Sequence, residues 1–285
     1  MESAYIVYPV ITAIIWSFNP AVIYRFARNS PPSFFTAIRA LLAVLFIVSF
    51  SVFTGTLDFS SLTPMLVLFM VISGVLGPGL GDIAYTRSIQ LIGGSLAIVI
   101  GYLYIFFAQV FSFILFGEKL GLTELVGGTL AFLGILIATR GNNNGSKASK
   151  TGILLAFSAA VLWGLAASII SMFRGLVDPY TVSIIRSSSV VVFSLIVSFV
   201  RREKRVVDKG FIIATFITGV FSWGIGMVLF TYSIYQLGVS ATVVATALAP
   251  VLSQLTTRFV AREPFSPFIA VGAVLVSLGI IVHSL

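Results

Sequence analysis

Long apolar stretches alternate with short polar connections along the whole chain. Ten stretches can be marked, and each is close to the roughly 20 apolar residues that a helix needs to cross a bilayer. Continuous apolar runs of this length satisfy their backbone hydrogen bonds in a membrane only as helices. The pattern predicts an all-α integral membrane protein with ten transmembrane helices and no room for a soluble domain. The predicted helices cover residues 5–26, 34–54, 64–88, 94–116, 121–139, 152–173, 180–200, 210–236, 240–261 and 266–284.

The two halves of the chain repeat one another. Matching residues are 147 positions apart near the start of each half and 145 positions apart farther along, which indicates tandem duplication of a five-helix unit. Because five is an odd number, the second unit must enter the membrane from the opposite side. The prediction is two inverted five-helix repeats around a central cavity, as is typical of transporters. Matching pairs include Trp16 and Trp163, Pro32 and Pro179, Arg39 and Arg186, Gly93 and Gly238, Gln109 and Gln254, and Glu118 and Glu263.

A polar segment, GNNNGSKASK at 141–150, separates the two repeats. The predicted organisation is a first repeat over 1–140, this linker, and a second, inverted repeat over 151–285. Cytoplasmic connections carry an excess of Lys and Arg. Outside the helix interiors, twelve of these residues lie on one predicted side and two on the other. This count predicts a multi-pass protein of the cytoplasmic membrane with both termini external.

Composition supports the membrane assignment and excludes other classes. Hydrophobic residues make up 58% of the chain, charged residues 9%, and the mean hydropathy is +1.11. With no cysteine and one histidine, the chain offers neither disulfides nor a multi-ligand metal site, so we expect no metal and no cofactor. The net charge of +8 follows from the orienting loop charges, so we expect no nucleic-acid partner.

Arg39 lies several residues inside a predicted helix, where an arginine exposed to hydrocarbon would cost about 2.5–3.5 kcal/mol. Its counterpart Arg186 is predicted near the opposite membrane face. The repeat topology brings Arg39 to the side of Glu263, and Arg186 to the side of Glu118. We therefore predict two bridges between the repeats that act as gates. The alternative is that each glutamate caps its own helix end in water.

The motifs of the chain resemble those of the drug/metabolite transporter superfamily, and within it the EamA-type ten-helix exporters. They are Trp16, the Pro-x6-Arg motif ending at Arg39, the Gly117-Glu118 pair, and their partial repetition. The resemblance implies a secondary transporter of small solutes, often amino acids or other metabolites. It also implies a cavity lined by helices 1, 3, 4, 6, 8 and 9. Family members often have a proline midway along helices 4 and 9.

Two features depart from the family pattern. Pro250 is present in helix 9, but the matching position in helix 4 is Ile105, so the two halves should bend differently. Relatives of this kind usually have cytoplasmic termini, whereas the charge count here predicts external ones.

The first candidate binding group lies on helix 1. Pro20 leaves the carbonyl of Trp16 without its helical partner, and Asn19 adds an amide at the same depth. A free carbonyl, an amide and an indole N–H would bind a solute. The alternative is a proline kink satisfied by neighbouring helices.

The second group lies on helices 4 and 9, which match through the repeat. On helix 4, Tyr102 and Gln109 share one face. On helix 9, Gln254 matches Gln109, and Pro250 leaves the carbonyl of Thr246 free. The alternative reading of the two glutamines is a hydrogen bond between helices.

Helix 3 carries Asp82, the one carboxylate predicted well inside a helix, with Tyr85 on nearly the same face. Glycines and Pro78 loosen the backbone before it. Asp82 is either a proton site, which would make a proton the coupling ion, or a static partner of Arg87 or Arg39. In the second repeat, Trp223 replaces Pro78 and would close the cavity as an aromatic wall.

The leading functional prediction is a transporter of small amphipathic or neutral solutes that works by alternating access, in the direction of export. The bilayer and a small molecule are its expected partners, and the protein is expected to be a monomer or homodimer. A lipid or lipid-linked-sugar flippase on the same scaffold is the alternative. An intramembrane enzyme is disfavoured because the sequence lacks paired acids or a nucleophile–base dyad in the bilayer.

Overall fold

The computed structural model describes residues 5–116, 122–140 and 149–283, and within these ranges all regular structure is helical. Three π-helical segments, Val75–Gly81, Ile217–Gly226 and Thr257–Ala261, continue the helices that precede them. In the first half the α-helices are α1 (Val7–Phe26), α2 (Pro32–Thr54), α3 (Pro64–Gly74), α4 (Asp82–Ile92), α5 (Gly94–Gly101), α6 (Tyr104–Phe116) and α7 (Leu122–Arg140). In the second half they are α8 (Lys150–Ser171), α9 (Pro179–Val200), α10 (Lys209–Phe216), α11 (Met227–Thr246), α12 (Ala249–Thr256) and α13 (Pro267–His283).

The prediction of a multi-helix membrane protein is confirmed. Within the described ranges, seven helical stretches are long and apolar enough to cross a membrane, and Thr129–Arg140 and Pro267–Gly279 are shorter apolar helices. Large apolar side chains face outward, as with Phe53 at 90% and Phe259 at 78% exposure. Charged Arg39 is completely buried. This distribution is the reverse of that in a water-soluble protein and suits a lipid environment.

Proline and short polar side chains define several helix starts. Pro32 and Pro179 occupy the first turns of α2 and α9, where a missing N–H costs nothing. Asp178 caps α9 by accepting hydrogen bonds from the amides of Tyr180 and Thr181, both at 2.9 Å.

Both halves interrupt their helices at matching places. The break between α5 and α6 falls at Tyr102 and Leu103, and 145 residues later the chain breaks again at 247–248. The first half thus breaks at this place although Ile105 stands where the second half has Pro250. In the first half, Leu103 donates to the carbonyl of Ile100 at 3.1 Å, and Phe106 donates to that of Leu103 at 3.0 Å. These three-residue spacings form a tight turn without a proline.

Helices of the first half pack mainly on helices of the second. α2 packs against α9 and α7 against α13, while α1 contacts α11 and α12, and α8 contacts α4 and α6. The α7–α13 contact is close because it is made by backbone: a Cβ on Gly272 would lie 2.5 Å from the carbonyl oxygen of Gly134. Small residues permit such packing between membrane helices, where it contributes van der Waals attraction.

Candidate functional site

An internal cavity lies between the two halves. About 110 Å³ of it is open to the centre of a water molecule. Since one water needs about 10–15 Å³ on this scale, the space holds several waters or one small solute. The cavity is lined by Trp16, Asn19, Gly77, Pro78, Asp82, Tyr85, Ile98, Tyr102 and Tyr104 from the first half, and by Trp163, Ala166, Ala167, Ile170, Arg186, Ser222, Trp223, Met227 and Phe230 from the second.

Seven of the 18 described residues that line the cavity are aromatic. The ring centroids of Tyr85 and Trp163 are 4.7 Å apart, those of Trp16 and Phe230 are 5.0 Å apart, and those of Tyr102 and Tyr104 are 5.6 Å apart. Tilted and edge-on contacts of this kind are favourable and rigid. The cavity wall therefore consists largely of aromatic and other apolar groups, with a few polar side chains among them.

The two predicted tryptophans of α1 and α8 lie in equivalent positions. Each ring covers a glycine of the other half: a Cβ on Gly81 would lie 2.9 Å from Trp163, and one on Gly226 would lie 2.8 Å from the indole nitrogen of Trp16. The absence of a side chain at these glycines is what lets the rings approach the π-helical segments. The indole of Trp16 is not free for a solute, because it donates to the carbonyl of Ser222 at 3.1 Å.

Asp82 forms a buried ion pair with Arg39, which lies behind the cavity wall. The guanidinium also stacks over the ring of Trp223, 4.5 Å from its centroid. The aromatic face attracts the guanidinium, and this attraction offsets part of the cost of removing the charge from water. Of the alternatives for Asp82, the structure shows the pair with Arg39, whereas Arg87 donates instead to the Oε1 of Gln90 at 3.1 Å.

Arg186 lies directly on the cavity and is 3% exposed. Its Nη1 lies 3.8 Å from the sulfur of Met227, a weak acceptor. Its Nε has no hydrogen-bond partner within the described ranges. Met227 occupies the position that matches Asp82 through the 145-residue offset. The second half has kept the arginine and replaced its carboxylate.

Two further residues that line the cavity carry a polar atom without a hydrogen-bond partner among the described residues. They are the Oδ1 of Asn19 and the hydroxyl group of Tyr102, both buried. A buried polar group that lacks a partner costs about 1–3 kcal/mol, so each is a ready hydrogen-bonding position for a solute.

Several predicted site residues lie elsewhere. Gln254 bridges helices, because its amide nitrogen donates to the carbonyls of Pro250 at 3.1 Å and Ser95 at 3.4 Å. Gln109 is half-buried on α6 and Thr246 is fully buried at the end of α11, and neither lines the cavity. Glutamine spacing alone could not tell a helix-bridging amide from one on the cavity.

The predicted proline kinks have three different outcomes. Pro20 lies within the continuous helix α1, Pro78 lies in a π-helical segment, and Pro250 lies in the first turn of α12, just after the break. Only Pro78 of the three lines the cavity. The carbonyl of Pro20 lies against Gly94, where a Cβ would come within 2.9 Å of its oxygen.

The predicted gate between Arg39 and Glu263 is not formed, because each residue has another partner. The carboxylate of Glu263 accepts hydrogen bonds from the amides of Gly94 at 2.6 Å and Ser95 at 3.0 Å. It thus caps the start of α5, a helix of the other half, rather than its own helix end. The proposed partner of Arg186, Glu118, lies outside the described residues.

Some cavity residues were missed by the sequence predictions. Tyr104 and Phe230 face the cavity, and Arg186 lies on it rather than at a gate. The repeat offset did contain one signal: Arg186 matches an arginine that needs a carboxylate, and Met227 stands where that carboxylate should be.

Comparisons with known proteins agree with this architecture. A sequence profile of the EamA-like transporter family matches the chain twice, over residues 3–140 and 150–285. An uncharacterized transporter of Archaeoglobus fulgidus is 23% identical over 273 residues, 94% of this chain and 94% of that protein. One crystal structure superposes with a TM-score of 0.71 over 99% of this chain and 96% of that chain, at 19% identity. The repeated profile match over nearly the whole chain, on a helical membrane fold, shows that the protein belongs to the EamA-like transporter family.

Proposed function

We propose that the protein is a secondary transporter that moves small amphipathic or neutral metabolites, amino acids among them, across the cytoplasmic membrane by alternating access. Export is the proposed direction. The observation that carries the proposal is the small cavity walled by side chains of both halves. Movement of one half relative to the other would open such a space to each side of the membrane in turn.

The chemistry of the wall supports a solute with an apolar body and few polar groups. Indole and phenol rings line the cavity, and two lining residues, Asn19 and Tyr102, have a polar atom without a hydrogen-bond partner among the described residues. A pocket of this kind holds an apolar body by burial and sets its orientation by a few polar contacts.

The contacts between the halves support an inverted repeat. α1 packs on α11 and α12, and α8 packs in the equivalent way on α4 and α6. α2 and α9 are equivalent helices of the two repeats, as are α7 and α13, and the members of each pair pack against each other. An approximate two-fold axis between the repeats would produce such contacts. We therefore propose that the repeats are inverted, with both termini external as the Lys and Arg count predicts.

Reconstitution of the purified protein in vesicles tests the transport function. Accumulation of labelled phenylalanine or another small amphipathic solute should saturate with concentration and show counterflow from preloaded vesicles, which a channel would not give. Asn19→Ala should weaken the apparent affinity, whereas lipid-facing Phe259→Leu should behave as wild type. No saturable movement of any amphipathic solute, with labelled phospholipid crossing instead, would replace this proposal with a flippase.

The chain contains no cysteine, so orientation can be tested with single introduced cysteines. Ser60→Cys, in the exposed connection before α3, should react with a membrane-impermeant maleimide from outside the cell if the termini are external, and only from inside if the termini are cytoplasmic. The predicted topology, with external termini, places residue 60 outside, because the two crossings of α1 and α2 return the chain to the side of the N-terminus. Labelling of intact cells at Ser60→Cys is therefore the expected result, and labelling only after lysis would reverse the orientation.

A further inference from the structure

We propose that Arg186 binds the carboxylate of the transported solute, so that the substrate is a small monocarboxylate with an apolar or aromatic body. This inference rests on the proposed transport function and names its substrate class. The carboxylate would sit at the guanidinium, and the apolar body would lie between the rings of Trp16, Trp163 and Trp223.

The guanidinium of Arg186 lacks a strong hydrogen-bond partner among the described residues. Arg186 is 3% exposed, so its charge has been removed from bulk water. Within the described residues its one hydrogen-bond contact is the Met227 sulfur at 3.8 Å, and its Nε has none. A buried charge is normally paired, because an unpaired one is costly. An incoming carboxylate would satisfy both the charge and the free N–H groups.

The matching arginine of the first half, Arg39, has different contacts from Arg186. Arg39 is paired with Asp82 and stacked on Trp223, so its charge is already compensated. Arg186 and Met227 are at the matching positions, where a thioether replaces the carboxylate. One arginine therefore has a structural role, while the other presents its charge to the cavity. This asymmetry is what an anion site within a nearly symmetric scaffold requires.

The charges on the cavity wall determine how many charges a bound solute should carry. Among the described residues that line the cavity, Asp82 carries a negative charge and Arg186 carries a positive one. The charge of Asp82 is already compensated by Arg39. As far as the described residues go, the cavity thus has one uncompensated positive charge, which matches one carboxylate. A dianion would bring a second charge into an aromatic space with no cation for it.

The geometry of arginine also favours a carboxylate over other acceptors. Its planar fork can donate two parallel hydrogen bonds to the two oxygens of one carboxylate. The Oδ1 of Asn19 can only accept, so it suits a solute N–H such as an ammonium group, whereas the tyrosine hydroxyls can donate or accept. A bound amino group is therefore permitted but is not needed for recognition by Arg186.

Binding to the purified full-length protein tests this assignment. The probes are 3-phenylpropanoate, its neutral amide, and the dianion phenylsuccinate, each titrated by calorimetry in detergent. The expected result is that 3-phenylpropanoate binds and both other compounds bind more weakly. In Arg186→Met the dissociation constant of 3-phenylpropanoate should rise by about 10- to 100-fold, the scale of hydrogen bonds to a charged group, while that of the amide stays the same. Arg186→Lys should fall between them, since it keeps the charge and loses the fork.

A second variant makes the test independent of loss of folding. Met227→Asp places a carboxylate where the other half has Asp82, so Arg186 acquires an internal partner. We expect this variant to unfold at a higher temperature than wild type and to lose its preference for 3-phenylpropanoate over the amide. Phe259→Leu, on the lipid-facing surface, is the matched control and should bind like wild type.

Three results would overturn the assignment. One is equal binding of 3-phenylpropanoate and its amide to the wild-type protein. Another is unchanged carboxylate affinity in Arg186→Met. The third is strong coupling of Arg186→Met with Glu118→Gln in thermal unfolding, which would show that Glu118 already pairs with the guanidinium. If one of these three results is found but neutral solutes still show saturable transport, the transport function stands and only the carboxylate assignment is refuted. If no solute shows saturable transport, the transport function itself is refuted.

Discussion

The carboxylate of Glu263 accepts a hydrogen bond from the backbone amide of Gly94 at 2.6 Å, across 169 positions of sequence. Its second oxygen accepts from the amide of Ser95 at 3.0 Å and from the Ser95 hydroxyl at 2.5 Å. Gly93, which precedes this helix start, has a φ of +85°, a conformation that favours glycine. A residue of the second half thus holds the beginning of a cavity-lining helix in the first.

Replacing Glu263 should loosen this connection. Glu263→Ala leaves the amides of Gly94 and Ser95 without their acceptor, so we expect a loss of about 1–3 kcal/mol in the free energy of unfolding. Thermal unfolding in detergent measures it, with exposed Phe265→Leu as the control. If alternating access requires this contact to break, the variant should also change the rate of solute counterflow. Unchanged stability would show that water replaces the carboxylate at the helix start.

The ion pair between Arg39 and Asp82 should be essential for stability. Asp82→Asn leaves the fully buried guanidinium of Arg39 uncompensated, so we expect a loss of about 3–5 kcal/mol. Asp58→Asn, at an exposed position in the connection before α3, is the matched control and should change stability by less than about 0.5 kcal/mol. The double variant Arg39→Met with Asp82→Met should recover much of the loss, because no charge then remains buried. Equal stability of Asp82→Asn and wild type would contradict this role.

The contact of Gly81 with Trp163 should set the width of the cavity. Gly81→Ala places a methyl group 2.9 Å from the indole, so the ring must move into the cavity. We expect a destabilisation of about 1–3 kcal/mol from overpacking, a changed tryptophan emission spectrum, and weaker solute binding. Leu80→Ala, on the neighbouring half-exposed position, should leave emission and binding unchanged. Wild-type binding in Gly81→Ala would show that Trp163 does not wall the bound solute.

The backbone contact between α7 and α13 should tolerate no side chain. In Gly272→Ala the added methyl group would lie 2.5 Å from the carbonyl oxygen of Gly134, and backbone on both sides must separate. We expect a destabilisation of about 1–3 kcal/mol, measured by thermal unfolding in detergent. The neighbouring Val271→Ala, at a position 50% exposed toward the lipid, should have a small effect. Equal effects of the two substitutions would argue against close packing of these helices.

Much of the architecture could be predicted because it depends on patterns that are local in sequence. The apolar runs predicted helices close to those observed, and the offsets of 147 and 145 placed Trp16 and Trp163 in equivalent positions. The break at Tyr102 escaped prediction because no proline marks it. It results from hydrogen bonds three residues apart, which many sequences can form.

The site could be predicted only in part. Trp16, Asn19, Asp82, Tyr85 and Tyr102 of the first half, with Trp163 and Trp223 of the second, do line the cavity. The predicted bridge between Arg39 and Glu263 is not formed, whereas the pair of Asp82 with Arg39 was one of the alternatives that the sequence offered. The repeat topology restricted each residue to one side of the membrane, but it could not measure which groups come within hydrogen-bonding distance.

The sequence by itself determined that the protein is a helical membrane protein with two related halves, because lipid demands long apolar helices and duplication leaves constant offsets. The tertiary structure alone decided which buried charges are compensated. Arg39 and Arg186 occupy matching positions in sequence, yet one contacts Asp82 and the other contacts Met227 on the cavity. The energy of a charge in a protein depends on the groups within a few ångströms of it, and that neighbourhood is assembled only when both halves pack together.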